Sequence, residues 1–223
     1  MGINLVNIIP LLSALFVLAL GLFIFFKKYN FRLRFLFFLL CLTAFVWLFG
    51  TFMMLLNRNN EAAAIFWDRF IYLGVVFSPI VFYHFSVVFC RLSGKKKLVI
   101  IGYVLSLIFL ILSRTDYFVS GLFKYQWLVH TQAELFHHLF LFFYFIYMIL
   151  TLLNFYRNYK IFFGTVKYQG LYMFISFLFF IGISTIAFLP AYGINIYPFP
   201  YFSGMIFVVL LAYLIFVRMQ QKA

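Results

Sequence analysis

The chain has 223 residues, of which 67% are hydrophobic, 25% aromatic and only 9% charged, with a net charge of +13 and a mean hydropathy of +1.11. A water-soluble domain needs about a quarter of its residues charged, so this composition excludes a soluble globular protein and points to a surface that faces lipid. The length suits one helical bundle with little room for a second domain, and residues 1–223 are expected to form a single membrane domain.

A spanning helix needs about 20 mostly apolar residues. Seven such runs are predicted, near residues 7–26, 33–56, 65–90, 97–113, 135–156, 170–190 and 201–217, the fourth and seventh at the short end. The expected fold is an all-α seven-transmembrane helix bundle. The first run has no basic segment ahead of it and ends in Lys27–Lys28, a stop-transfer pattern. It is therefore read as a retained helix and not a cleaved signal.

The third run holds the costliest residues to place in lipid. Asp68 and Arg69 sit at its outer end beside Trp67 and Tyr72. Either they anchor the helix at the interface, or they make polar contacts to another helix or to the outer loops. Pro79 removes a backbone hydrogen bond and crowds the carbonyl of Val75, which predicts a kink. The Ser78 hydroxyl could satisfy the freed carbonyl. His84 follows deeper in the span, as a hydrogen-bonding strut or as a hinge element sensitive to pH or signal. Asp68, Arg69, Pro79 and His84 are the candidate signal-transmitting residues.

The longest connection, residues 114–134, has strand-forming residues around Ser120–Gly121, which predicts a small extracytoplasmic hairpin between the fourth and fifth helices. His130, Glu134 and His138 follow. If this stretch is helical, they recur every four residues on one face. His and Glu suit zinc or copper, but interfacial polar residues explain them as well, and no metal site is assigned. The last outer connection is "PAYGINIYPFPY", residues 190–201. Pro190 can end the sixth helix, and Gly193 can supply a positive-φ turn. "IYPFPY" is expected to be extended, because residues before Pro avoid the helical region. Tyr192, Asn195 and Tyr197 join His130, Glu134 and His138 as candidate ligand contacts.

Charge sets the orientation. One side collects Lys27, Lys28, Arg32, Arg34, Arg91, Lys95, Lys96, Lys97, Arg157, Lys160, Lys167, Arg218 and Lys222, with no acid. The other holds Arg58, Arg69, Arg114 and Lys124 with all four acids. Basic residues near span ends stay cytoplasmic, so the N-terminus is expected outside and the C-terminus inside. Contact with anionic head groups of the bilayer accounts for the basic face, and no nucleic-acid partner is expected. The two cysteines, Cys41 and Cys90, have no metal or CxxC spacing. The seventh run has no lysine for a retinal Schiff base, and the cytoplasmic side has no carboxylate to hold magnesium. The chain is read as a non-enzyme that needs no cofactor.

Three stretches carry a family resemblance: "FWDRFIYLGVVFSPIVFYHFS" (66–86), "TDYFVSGLFKYQW" (115–127) and "LPAYGINIYPFPYF" (189–202). The pattern resembles the seven-helix N-terminal membrane domain of bacterial sensor histidine kinases, over essentially the whole chain. The resemblance implies a multi-pass sensor in the bacterial cytoplasmic membrane that acts on a kinase or cyclase module. "RMQQKA" closes the sequence soon after the seventh run. The expectation is thus a receptor portion apart from its effector, or a chain that signals through a partner kinase, with a homodimer among the assemblies it allows. The competing readings are a transporter or lipid-handling membrane protein, and a lipid-acting enzyme built on the outer histidines.

Overall fold

A computed structural model describes residues 5–28, 30–126, 129–161, 163–196 and 200–220. The elements in chain order are α1 (Leu5–Phe25), α2 (Phe31–Leu56), α3 (Glu61–Val75), α4 (Ser78–Phe89), α5 (Lys96–Leu112), β1 (Val119–Lys124), β2 (Val129–Ala133), α6 (Leu135–Ile161), α7 (Gly164–Ile186), a 3-10 turn (Leu189–Tyr192) and α8 (Pro200–Gln220). Lipid supplies no hydrogen bonds to a backbone, so apolar runs of this length close their bonds internally as helices. Among the described residues, five helical runs are long and apolar enough to cross a membrane: Ile8–Phe25, Phe31–Leu56, Glu61–Phe89, Leu135–Ile161 and Lys167–Tyr192. The α5 helix, at 17 residues, falls just short. The apolar part of α8 is Ser203–Leu214.

Polar residues punctuate the greasy runs. The Asn30 side chain accepts from the backbone N–H of Arg32 and Leu33 and starts α2. Asn60 does the same for α3 through Ala63. Two basic residues assigned to the fifth connection, Arg157 and Lys160, lie within α6, and Lys167 lies within α7.

The third run is divided. Pro79 has no N–H for the carbonyl of Val75, and α3 ends at that residue. The Ser78 hydroxyl donates to the Val75 carbonyl at 2.8 Å, and Ser106 on α5 donates to the Val76 carbonyl at 2.9 Å. The two carbonyls at the break, those of Val75 and Val76, are thus both hydrogen-bonded. Below it α4 is the central helix: Ile80, Phe82, Tyr83, Phe85, Ser86 and Phe89 are all buried. It packs on α2, α5 and α6, while α1 lies against α2 and α8, and α7 bridges α6 to α8. Asn154 on α6 donates to Ser86 at 2.8 Å. His84 Nδ1 meets the Tyr103 hydroxyl at 3.1 Å, a strut to α5.

The expected hairpin forms between α5 and α6, and two expectations for residues 190–201 are corrected. Ser120–Gly121 falls inside β1, where a bulge interrupts the antiparallel register between Ser120↔Gln132 and Phe123↔His130. Gly121 takes φ +37° there, and the turn comes after Lys124. The α7 helix ends at Ile186 rather than at Pro190. The reason is again the proline: its ring crowds the carbonyl four residues back, which is that of Ile186. The chain tightens into the 3-10 turn and leaves it through Gly193 at φ +81°. Within "IYPFPY", Tyr197, Pro198 and Phe199 lie outside the described residues. Pro200 and Tyr201 are the first turn of α8 and not extended backbone, since proline suits the first helical position.

The α2–α3 contact has no spare room at Gly74, where an added Cβ would lie 2.5 Å from the Thr43 carbonyl oxygen. Gly74→Ala is expected to lower stability by about 1–3 kcal/mol through overpacking. Gly182→Ala, where a Cβ would meet nothing within 4 Å, should be neutral or stabilising by up to about 1 kcal/mol. Unfolding midpoints of the two variants in detergent check the contrast.

Candidate functional site

The hairpin end of the bundle is built around the two charges that open the third run. Asp68 is fully buried on α3 and Arg69 beside it is partly exposed. Successive helical residues point about 100° apart, and the two reach different parts of the hairpin. The Thr131 hydroxyl of β2 donates to Asp68 Oδ2. His130 Nδ1 lies 3.8 Å from Asp68 Oδ1 and 3.1 Å from the Thr131 carbonyl. Arg69 pairs with Asp116 and donates to the Val119 carbonyl at 3.3 Å. The sequence left open an interfacial anchor or a contact to the outer loops, and the contact to the loops is what forms.

Other bonds close the hairpin over the bundle. Ser120 donates to Glu134 at 2.5 Å. Tyr125 donates to the Pro190 carbonyl at 2.7 Å, and burial pushes its hydroxyl above the ordinary tyrosine range. Arg114 is lowered by burial and by neighbouring Arg69. Val129 packs into a small apolar cluster with Met54, Ala64 and Ile71. His137 Nδ1 lies 2.9 Å from the Tyr192 hydroxyl, joining α6 to the 3-10 turn.

The candidate residues His130, Glu134 and His138 do not share a helical face. His130 is on β2, Glu134 joins the strand to the helix, and α6 begins at Leu135. Each is engaged separately, His138 Nδ1 with the Glu134 carbonyl at 2.8 Å. The described residues contain no group of three His, Cys, Asp or Glu side chains placed to hold a metal. Tyr192 is half-buried between His137 and His138, and Asn195 is exposed. Tyr197 lies outside the described residues. Pro79 and His84 lie deeper, away from the hairpin. His84 lines a separate groove with Asn30, Arg32, Arg91, Lys95 and Lys96 at the basic end of the bundle.

Beneath the hairpin lies a cavity of about 90 Å³. Asp68 and His130 are its titratable lining residues apart from tyrosines, among mostly apolar side chains from α2, α3, α6 and α7 and the aromatic rings of Trp47, Tyr72 and Tyr201. Val75, Ser78 and Phe82 place the α3–α4 break on its wall. Pro200, Gly204, Phe207 and Val208 bring α8 to it as well. Trp47, Thr131 and Gly204 were not singled out from the sequence. In one dimension each is an ordinary residue of an apolar or strand-like run, and only the packing gives it a role. Asp68, Ser78 and His130, which the sequence did single out, are polar residues in or beside apolar runs, and that is what made them legible.

The family described as "N-terminal 7TM region of histidine kinase" matches residues 9–219. No curated protein matches the chain. The family match and the apolar helices together make this a multi-pass membrane protein.

Thr131→Val removes the hydrogen bond to a buried carboxylate, and is expected to cost about 1–3 kcal/mol. Asp116 is 85% exposed, so Asp116→Ala, which breaks a solvated pair, should cost no more than about 1 kcal/mol. Unfolding of the two variants side by side measures the difference.

Proposed function

This chain belongs to the family of N-terminal seven-transmembrane regions of histidine kinases, and we propose on that premise that it is a non-catalytic input domain of the bacterial cytoplasmic membrane. The whole chain acts as one membrane domain with its N-terminus outside and its C-terminus in the cytoplasm. The distribution of basic residues supports this orientation. The β1–β2 hairpin is then extracytoplasmic. A signal from outside or from within the bilayer is received under the hairpin and passed along α8 to a histidine kinase or cyclase module, in the same chain or in a partner. A homodimer fits this use, and nucleic acid has no part in it.

One observation carries the reading. The cavity under the hairpin is lined both by the α3–α4 break and by α8. An occupant therefore touches a discontinuity that can hold two packings and the helix that leads inward. A ligand shifts such an equilibrium only by its differential contacts with the two states, and contact with both elements provides for that. Asp68, Arg69 and the Pro79–His84 segment are the parts proposed to move. Of the outer candidates, His130 lies at the cavity, whereas Glu134, His138, Tyr192 and Asn195 hold or flank the hairpin around it.

Two measurements test this. Reporter insertions at Gly94 should read as cytoplasmic and at Gln126 as extracytoplasmic; the opposite pattern rejects the orientation. For signalling, the chain is joined ahead of a reporter kinase core. Gly204 lines the cavity, and an added Cβ there would meet its nearest neighbour, Leu48, only at 4.0 Å. Gly204→Leu is expected to leave the protein folded while fixing the reporter output at one level. Unchanged, still-variable output rejects the cavity as the receiving end. Uptake of solute by vesicles holding the purified chain would favour a transporter instead.

A further inference from the structure

The cavity also carries information about what fits it. Asp68 has no exposed surface, and its Oδ2 takes the Thr131 hydroxyl. Its other oxygen, Oδ1, receives no hydrogen bond. Buried polar groups are almost always partnered, and a buried carboxylate left half-satisfied is costly. The basic side chains nearby leave that oxygen without a hydrogen bond. Arg69, the next residue, turns to Asp116 and the Val119 carbonyl. His130 Nδ1, at 3.8 Å, is beyond hydrogen-bond reach of Oδ1 and is bonded to the Thr131 carbonyl. The fold thus keeps one oxygen of a buried acid without a hydrogen bond, on a residue that lines the cavity.

The surroundings narrow the class of occupant. No Lys or Arg lines the cavity, and its one histidine, His130, already lies against Asp68, so an anionic head group would meet the carboxylate without a counter-charge of its own. A plain hydrocarbon would leave Oδ1 bare. A head group with N–H donors and a positive charge satisfies the acceptor and neutralises the acid. Trp47, Tyr72 and Tyr201 also line the cavity, and aromatic faces attract such a cation. Beyond them the walls are apolar: Leu40, Ile71, Val75, Phe82, Phe180 and Phe207.

Resting on the receptor reading of this cavity, we infer that its ligand class is a slender apolar molecule ending in a protonated amine. The ammonium donates to Asp68 Oδ1, and the hydrocarbon lies along the wall shared by the α3–α4 break and α8.

The test uses the whole chain in lipid nanodiscs and three probes of equal chain length, hexylamine, hexanol and hexanoate, with binding followed by calorimetry and by the shift in unfolding temperature. Hexylamine should bind saturably and at least about tenfold tighter than hexanol, the scale of one charge-assisted hydrogen bond, and hexanoate should bind least. Asp68→Asn keeps the acceptor for Thr131 and removes the charge, so it should erase the preference for the amine. Gly204→Leu should abolish binding of every probe. The comparison of probes on the unmodified chain stands even where a variant fails to fold. Equal binding of amine and alcohol, or a preference that survives Asp68→Asn, overturns the amine assignment and leaves the cavity as a ligand site. No saturable binding of any probe overturns the assignment too. If Gly204→Leu then also leaves the kinase reporter unaltered, the receptor reading falls with it.

Discussion

At the hairpin end of this protein a carboxylate sits where water does not reach, and a threonine hydroxyl from a different part of the chain donates to it. Asp68 belongs to α3 and Thr131 to β2, and the two are 63 positions apart in sequence. An isolated charge in such a place is expensive. The hairpin relieves part of that cost, and in doing so it is held over the mouth of the helices. The apolar cluster of Met54, Ala64, Ile71 and Val129 and the Tyr125–Pro190 bond then fix its position on both sides of the bundle. The hairpin reaches the cavity through His130, and helix side chains supply most of the remaining wall.

The other half follows a different logic. There α4 is surrounded by aromatic side chains, with Phe82, Phe177 and Phe207 in edge-to-face contact, and its few polar groups are matched one to one. Ser86 meets Asn154, and His84 meets Tyr103. Pro79 separates these two regimes. The carbonyls it leaves exposed are taken by Ser78 and Ser106, so the break carries no unsatisfied carbonyl there. The discontinuity thus lies on the cavity wall with both of these carbonyls bonded.

Much of this was legible in one dimension. The apolar runs marked the helices, because in lipid a long apolar stretch has no other way to bond its backbone. Pro79 announced the break and Ser78 its repair, because both act within four residues on the chain itself. Proline also misled. Pro190 ends α7 at Ile186, four residues before its own position, because the clash is with a carbonyl one turn back. The His130–Glu134–His138 spacing suggested a shared face only under a helical geometry, and the strand takes His130 out of it. The hairpin was foreseen but its turn was not, since the bulge at Gly121 moved the pairing.

The sequence by itself determined what is local or additive: a membrane solvent from composition, helices from apolar length, the break from a proline, the asymmetry of the two faces from the count of lysines and arginines. The tertiary structure alone decided which polar groups find partners. Asp68 could have paired with Arg69, its neighbour in the chain. Instead the helical turn sends the two side chains in different directions, one to Thr131 and the other to Asp116. Hydrogen bonds between distant residues depend on how helices and hairpin pack in three dimensions, and the unpartnered oxygen of Asp68 and the cavity that this residue lines exist only once they have packed.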